Sequence, residues 1–142
     1  MPSRTLAREK RDLERLRKLC LALPETTEKE AWGEATWRVR GKMFAMLDNH
    51  HHDAPDFAVW LKSDFETQRL LVDSDPETFF VPPYQGKAGW VAARLDARTD
   101  WKGLAELIEE AWSRAAPPRL ASERSAAAPR GKRRASSRQR EE

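Results

Sequence analysis

The densest group of side chains able to do chemistry is Asp48-Asn49-His50-His51-His52-Asp53, where imidazoles and carboxylates of the kind that ligate transition metals run together. Their spacing argues against a site. Neighbouring side chains of an extended segment point to opposite faces, so only His50 and His52 share a side, and a third ligand has to come from Asp48 or from elsewhere. A polar turn between two strands accounts for the same residues, because such turns collect Asn and Asp. We assign no metal and expect no cofactor.

The other reactive types form no catalytic set. Cys20, the only cysteine, lies on an apolar stripe with no histidine near it in sequence and reads as a small buried hydrophobe. The chain has no G-x-S-x-G, no H-E-x-x-H and no Walker loop, and the spacing of its carboxylates marks no acid–base pair. The expectation is a protein that is not an enzyme and has no identified small-molecule substrate. Gly86-Lys87-Ala88-Gly89 matches the G-x-x-G loop with which KH domains clamp a nucleotide backbone. A KH loop, however, joins two helices, whereas this one follows Pro82-Pro83-Tyr84 and precedes a strand. A glycine-enabled turn presenting Lys87 is expected there.

Cations are the better lead. The 142 residues carry 26 Lys and Arg against 23 Asp and Glu, with an isoelectric point near 9.2. Divided along the chain, residues 1–23 hold a net +4, residues 24–116 a net −6 and residues 117–142 a net +5. Arg38, Arg40 and Lys42 surround Gly41, and strand alternation puts Arg38 and Arg40 on one face. Arg130, Lys132, Arg133 and Arg134 lie beyond the acidic middle, and non-specific attraction to polyanions is their natural consequence. A mean hydropathy of −0.80 and the absence of a long apolar run argue against a membrane span. No apolar segment follows the basic N-terminus as it would in a secretory leader, and one thiol makes no internal disulfide. The expected location is the cytoplasm, and a monomer is the default.

The elements that must position these residues are legible from periodicity. Leu13, Leu16, Cys20 and Leu23 make one helical stripe that ends at Pro24. Glu28–Trp32, Thr36–Arg40, Lys42–Asp48 and Asp56–Lys62 read as four strands of an antiparallel meander, with a tight hairpin at Arg40-Gly41. Ser63-Asp64-Phe65-Glu66 fits a capping box ahead of a short helix carrying Phe65, Arg69, Leu70 and Val72, which Pro76 closes. Trp90–Leu95 alternates like a strand. Trp101, Leu104, Ile108 and Trp112 then form the apolar face of a last helix that starts near Thr99 or Asp100 and stops at Pro117-Pro118. The order predicts an α+β domain over residues 1–117, an antiparallel sheet of about five strands with N- and C-terminal helices packed on one face. Residues 118–142, with Leu120 as their only large aliphatic, read as a disordered basic tail.

Several of these residues, taken in order, carry a resemblance. Leu23-Pro24-Glu25-Thr26-Thr27-Glu28, Trp32-Gly33, Thr36 through Ala45, Trp60-Leu61-Lys62, Phe79 through Tyr84 and Gly89-Trp90-Val91 together resemble the MmcQ/YjbR family, over roughly Leu6 to Pro118. The resemblance implies a frataxin-like, or CyaY-like, α+β fold and a DNA-binding role through a so-called double-wing arrangement. Carried over by position, it implies binding roles for Arg38, Lys42, Lys62, Tyr84, Lys87 and Trp90, whereas Trp32, Gly33, Gly41 and Phe44 match as structural positions.

The expected function is therefore phosphate-directed, non-catalytic DNA binding through Arg38, Arg40, Lys42, Lys62 and Lys87, with Tyr84 and Trp90 beside them and Arg130, Lys132, Arg133 and Arg134 as an electrostatic anchor. The alternative is a ligand- or protein-interaction module of frataxin-like shape, using an aromatic and proline surface around Trp60, Phe80, Tyr84 and Trp90. A surface map separates the two: clustered cations favour the first, an open aromatic cleft the second.

Overall fold

A computed structural model of the chain describes residues 2–50 and 56–127. Helix α1 (Pro2–Leu21) is followed by strands β1 (Thr26–Ala31), β2 (Glu34–Val39), β3 (Lys42–Asn49) and β4 (Phe57–Leu61), helix α2 (Phe65–Ser74), strands β5 (Phe79–Phe80) and β6 (Val91–Arg94), and helices α3 (Trp101–Ala115) and α4 (Pro118–Ala127). The six strands form one antiparallel sheet in the order β1-β2-β3-β4-β6-β5. The expected α+β fold is the one found, with β5 as an added edge strand too short for periodicity to register. No helix among the described residues is long and apolar enough to cross a membrane.

Two two-residue turns build the meander. Trp32-Gly33 joins β1 to β2 and Arg40-Gly41 joins β2 to β3, each with positive φ at both residues (55° and 76°, 49° and 83°), the primed geometry whose twist matches that of paired strands. The second turn stands where the sequence places it. The first displaces Trp32 from the strand assigned to it.

One face of the sheet carries the main core. Leu16 and Cys20 of α1 and Leu104, Ile108, Ala111 and Trp112 of α3 pack against Trp37, Val39, Leu47, Val59, Leu61, Val91 and Ala93. Phe44 joins them through a bulge: Trp37 pairs with Ala45 but Arg38 with Met43, so β3 carries one extra residue and Phe44 and Ala45 both sit in this core. The other face holds a smaller cluster of Met46, Ala58, Trp60, Trp90 and Ala92, with Met43 and Phe80 packed on it.

Three sequence expectations shift. The N-cap of α2 is Asp64, accepting the Thr67 N–H at 2.7 Å, one residue later than a Ser63 capping box. On that helix Phe65 and Leu70 are exposed and Gln68 is buried, because its amide is used by the neighbouring loop. Beyond Ala116 the chain forms α4 where a disordered tail was expected: Pro118 occupies a first-turn position that costs no hydrogen bond, Leu120 and Ala121 pack on the main core, and Arg124 binds Glu109 at 3.1 Å. His52, Arg130, Lys132, Arg133 and Arg134 lie outside the described residues.

Candidate functional site

Register sorts the residues of the face opposite α1 and α3, here called the open face, into rows that cross the strands. The central row runs Lys29, Thr36, Met46, Trp60, Ala92 and Phe80. One row towards the Gly41 turn lie Arg38 and Met43, joined by Lys62, whose N–H bonds the Phe44 carbonyl and whose place two residues after Trp60 keeps it on the same side. One row the other way lie Ala31 and Glu34, then Asp48, Ala58 and Arg94. Rows are about 7 Å apart, two strand residues.

This arrangement separates the charges that the sequence mixes. On β1, Glu28 turns to the helical face, where its carboxylate accepts from Arg17 at 2.8 and 2.9 Å and from the Trp37 indole N–H at 3.0 Å. Glu30 follows by alternation, leaving Lys29 on the open face. Of the carboxylates on the open face, Glu34 and Asp48 are buried, Glu34 accepting the Asn49 backbone N–H at 2.6 Å, and half-buried Asp56 is taken up by Arg94. Arg94 is engaged by Asp56 at 3.3 Å and stacks over the Phe80 ring at 4.5 Å. Lys29, Arg38 and Lys62 make no ion pair among the described residues. The net −6 of residues 24–116 is thus the charge of a segment and not of this face.

A cleft of about 340 Å³ opens on the same face, lined by Trp32, Met46, Trp60, Tyr84 and Gln85. Met46 and Trp60 are the buried floor, whereas Trp32 and Tyr84 are 64% and 61% exposed. Both exposed aromatics hold costly backbone. Trp32 takes the first position of a primed turn, where Asn, Asp or Gly is the usual occupant. Tyr84, at φ 64° and ψ −63°, centres a rare and strained γ-turn closed by the Gln85 N–H on the Pro83 carbonyl at 2.6 Å. Strain of this kind persists where the surroundings over-determine it, and it collects at binding sites.

The Tyr84 loop is anchored from beneath. Gln68 donates to the Gly86 carbonyl at 3.1 Å and to the Trp90 carbonyl at 2.6 Å. The expected glycine turn is a short 3-10 helix, Gln85–Ala88, ended by Gly89 at φ 90°. A β-carbon at Gly89 would stand 3.0 Å from the Asp64 backbone, so only glycine allows this approach to α2.

The structure brings some of the expected binding residues together and separates others. Arg38 and Lys62 share one row of the open face. Arg40 does not share a face with Arg38, because it occupies the turn, where its Nε and Nη2 donate to the Glu25 carboxylate at 2.6 and 3.1 Å. Lys42 is exposed beside that turn, and Lys87 is exposed on the 3-10 helix. Trp90 is 4% exposed, packed with Met46, Trp60 and Ala92, and supports the cleft from inside. His50 leaves the strand at φ 63° and meets Glu9 of α1 at 3.1 Å, away from buried Asp48, and no three His, Cys, Asp or Glu among the described residues are grouped to hold a metal. Trp32 and Lys29 are the residues that sequence reasoning missed. The x-Gly step at Trp32-Gly33 signals the turn, and the alternation of Thr27, Lys29 and Ala31 signals the face.

Comparison with known proteins agrees with this architecture. The model of the YjbR family matches residues 21–114. The crystal structure of Deinococcus radiodurans protein DR2400, which carries a domain described as DUF419, is similar at a TM-score of 0.61 and 23% identity, covering 71% of this chain and 75% of that one. That likeness speaks to the fold alone. No curated protein matches the chain.

Proposed function

The chain belongs to the YjbR family, and from that premise and the sidedness of its sheet we propose that it is a small, non-catalytic DNA-associated protein that meets the phosphate backbone with the open face. The observation that carries the reading is the segregation of charge: exposed Lys29 and half-buried Arg38 and Lys62 have no acidic partner among the described residues, on a face where Glu34 and Asp48 are buried and Asp56 is paired with Arg94. Lys42 and Lys87, both exposed, extend the positive surface at the Gly41 turn and at the Tyr84 loop. Contacts of this kind fix position on a duplex or strand without reading bases, so binding is weak and steeply dependent on salt. Such a role belongs in the cytoplasm, where Cys20 stays reduced. Fluorescence anisotropy with labelled DNA between about 50 and 200 mM salt tests the proposal, with affinity expected to fall by tenfold or more across that range. Absence of affinity for any DNA at the low-salt end rejects it.

A second reading has its own observation. The cleft lining of two indoles, a phenol, a thioether and one amide supports contact with an apolar or planar group, and among the described lining residues there is no carboxylate, imidazole or thiol to perform chemistry on it. A module binding a protein or small molecule through Trp32 and Tyr84 follows from that lining. Competition between DNA and such a ligand for one face separates the readings.

A further inference from the structure

Resting on the reading that the open face carries DNA, we infer that the cleft between Trp32 and Tyr84 holds one unpaired base, with thymine preferred, so that the protein selects single-stranded DNA over duplex. Three observations converge. Two aromatic rings more than half exposed rise beside a cleft of about 340 Å³, each on positive-φ backbone that costs stability. A paired base stays inside its stack and is out of reach of a sheet face, whereas an unpaired base lays its π-face on an aromatic side chain.

The charges name the rest of the ligand. Lys62 lies one row, about 7 Å, from Trp60, Arg38 lies one row and one strand from Met46, and Lys29 lies in the row of Met46 two strands, about 10 Å, away, so cations flank the cleft floor within reach of the phosphates of a bound strand. The same cations exclude the other group that aromatic cages select, a methylated ammonium, because that ligand would enter among like charges. The floor is apolar, a thioether and an indole, and suits the C5-methyl of thymine better than the bare C5 of uracil.

The test uses the full chain and three labelled probes of about a dozen nucleotides each, oligo-dT, oligo-dU and a mixed-sequence duplex, followed by anisotropy at about 50 mM salt with tryptophan quenching as a second readout. Oligo-dT is expected to bind tenfold or more tighter than duplex, to quench tryptophan emission, and to exceed oligo-dU by roughly threefold to fivefold, the worth of one buried methyl. Trp32→Ala and Tyr84→Ala each bring the single-strand-to-duplex ratio towards one, and Trp32→Phe recovers most of it. Equal affinity for duplex and oligo-dT, tighter binding of oligo-dU, or Trp32→Ala weakening the duplex and oligo-dT alike overturns the inference. So does a proline-rich peptide that quenches the tryptophans and displaces the oligonucleotide. Failure of the underlying reading looks different: Lys29→Glu, Arg38→Gln and Lys62→Glu then leave the affinity for every probe unchanged.

Discussion

Trp32 and Tyr84 line one cleft from two different connections, the β1–β2 turn and the loop between β5 and β6, and both do so with left-handed backbone, at φ 55° and 64°. Neither conformation favours a bulky side chain, and each costs on the order of 1 kcal/mol or more relative to glycine. The pairing sets stability against binding.

Trp32→Gly is therefore expected to stabilise the fold while disabling the cleft. Gly33 already supplies positive φ at the second turn position, and nothing lies within 4 Å of a β-carbon built there, so the turn itself is uncrowded. The melting temperature should rise by a few degrees, consistent with about 1 kcal/mol, and oligonucleotide affinity should drop. Calorimetry checks the first and anisotropy the second; a lower melting temperature would show that the indole contributes more packing than its backbone costs.

Gln68→Ala probes the support of Tyr84. The buried amide donates to the Gly86 and Trp90 carbonyls, and its loss removes a donor from each, the Gly86 carbonyl keeping only the Gly89 N–H at 3.1 Å. A destabilisation of about 1–3 kcal/mol in urea is expected. Because one of those carbonyls lies within the 3-10 helix that follows Tyr84 and the other just beyond it, binding should weaken even though Gln68 lines no part of the cleft. Unaltered affinity would mean that the γ-turn at Tyr84 holds itself.

These two residues also show where the sequence stops being readable. The stripe of Leu16, Cys20 and Leu23, the face of Leu104, Ile108 and Trp112, and the Arg40-Gly41 hairpin are local patterns, and each lies where periodicity and turn chemistry put it. Gln68 in place of Leu70 on the inner side of α2 depends on two carbonyls far along the chain, and no helical period encodes them. Phe44 reaches the main core through a bulge, which shifts the alternation that assigns faces in β3. Charge misleads for the same reason. Summed along the chain, Glu28, Glu30, Glu34 and Asp48 oppose Lys29 and Arg38; sorted by face and burial, they do not share the same accessible surface.

Glu28 supplies a pH signature. Hydrogen bonds from Arg17, and then from the Trp37 indole, hold its carboxyl below the usual glutamate range. A depressed folded-state pKa contributes stability above the unfolded value of about 4.3 and loses it as pH falls through the folded value. Wild type should therefore lose more stability than Glu28→Gln between about pH 6 and pH 3, the two curves closing at the acid end. At neutral pH the variant should be less stable by about 1 kcal/mol. Parallel melting curves at every pH would show that Glu28 contributes no pH-dependent stability.

Cys20 should be inert in the native protein. It is fully buried among the side chains of the main core, and burial pushes its thiol well above the ordinary cysteine value, so the thiolate is suppressed in the folded state. Labelling by a thiol reagent at about pH 8 should appear only as the chain unfolds in urea, its midpoint tracking the loss of tryptophan fluorescence. Fast labelling without denaturant would show that α1 separates from the sheet, since Leu16 and Cys20 are what it buries there.

The cations beyond residue 127 offer a way to divide electrostatic attraction from recognition. Arg130, Lys132, Arg133 and Arg134 carry positive charge with no acid among them, and Glu141 and Glu142 follow. If these side chains neutralise phosphates, replacing all four by alanine in the full chain lowers the slope of log affinity against log salt by roughly 0.7–0.9 for each phosphate left unpaired. Affinity for every probe then falls together, because phosphate is common to single strands and duplex. The ratio between the probes is set at the cleft and should stay as it is, whereas Lys29→Glu on the open face lowers affinity and Trp32→Ala changes the ratio. A ratio that moved with the four tail substitutions would assign discrimination to the terminus and leave the cleft without a part in it.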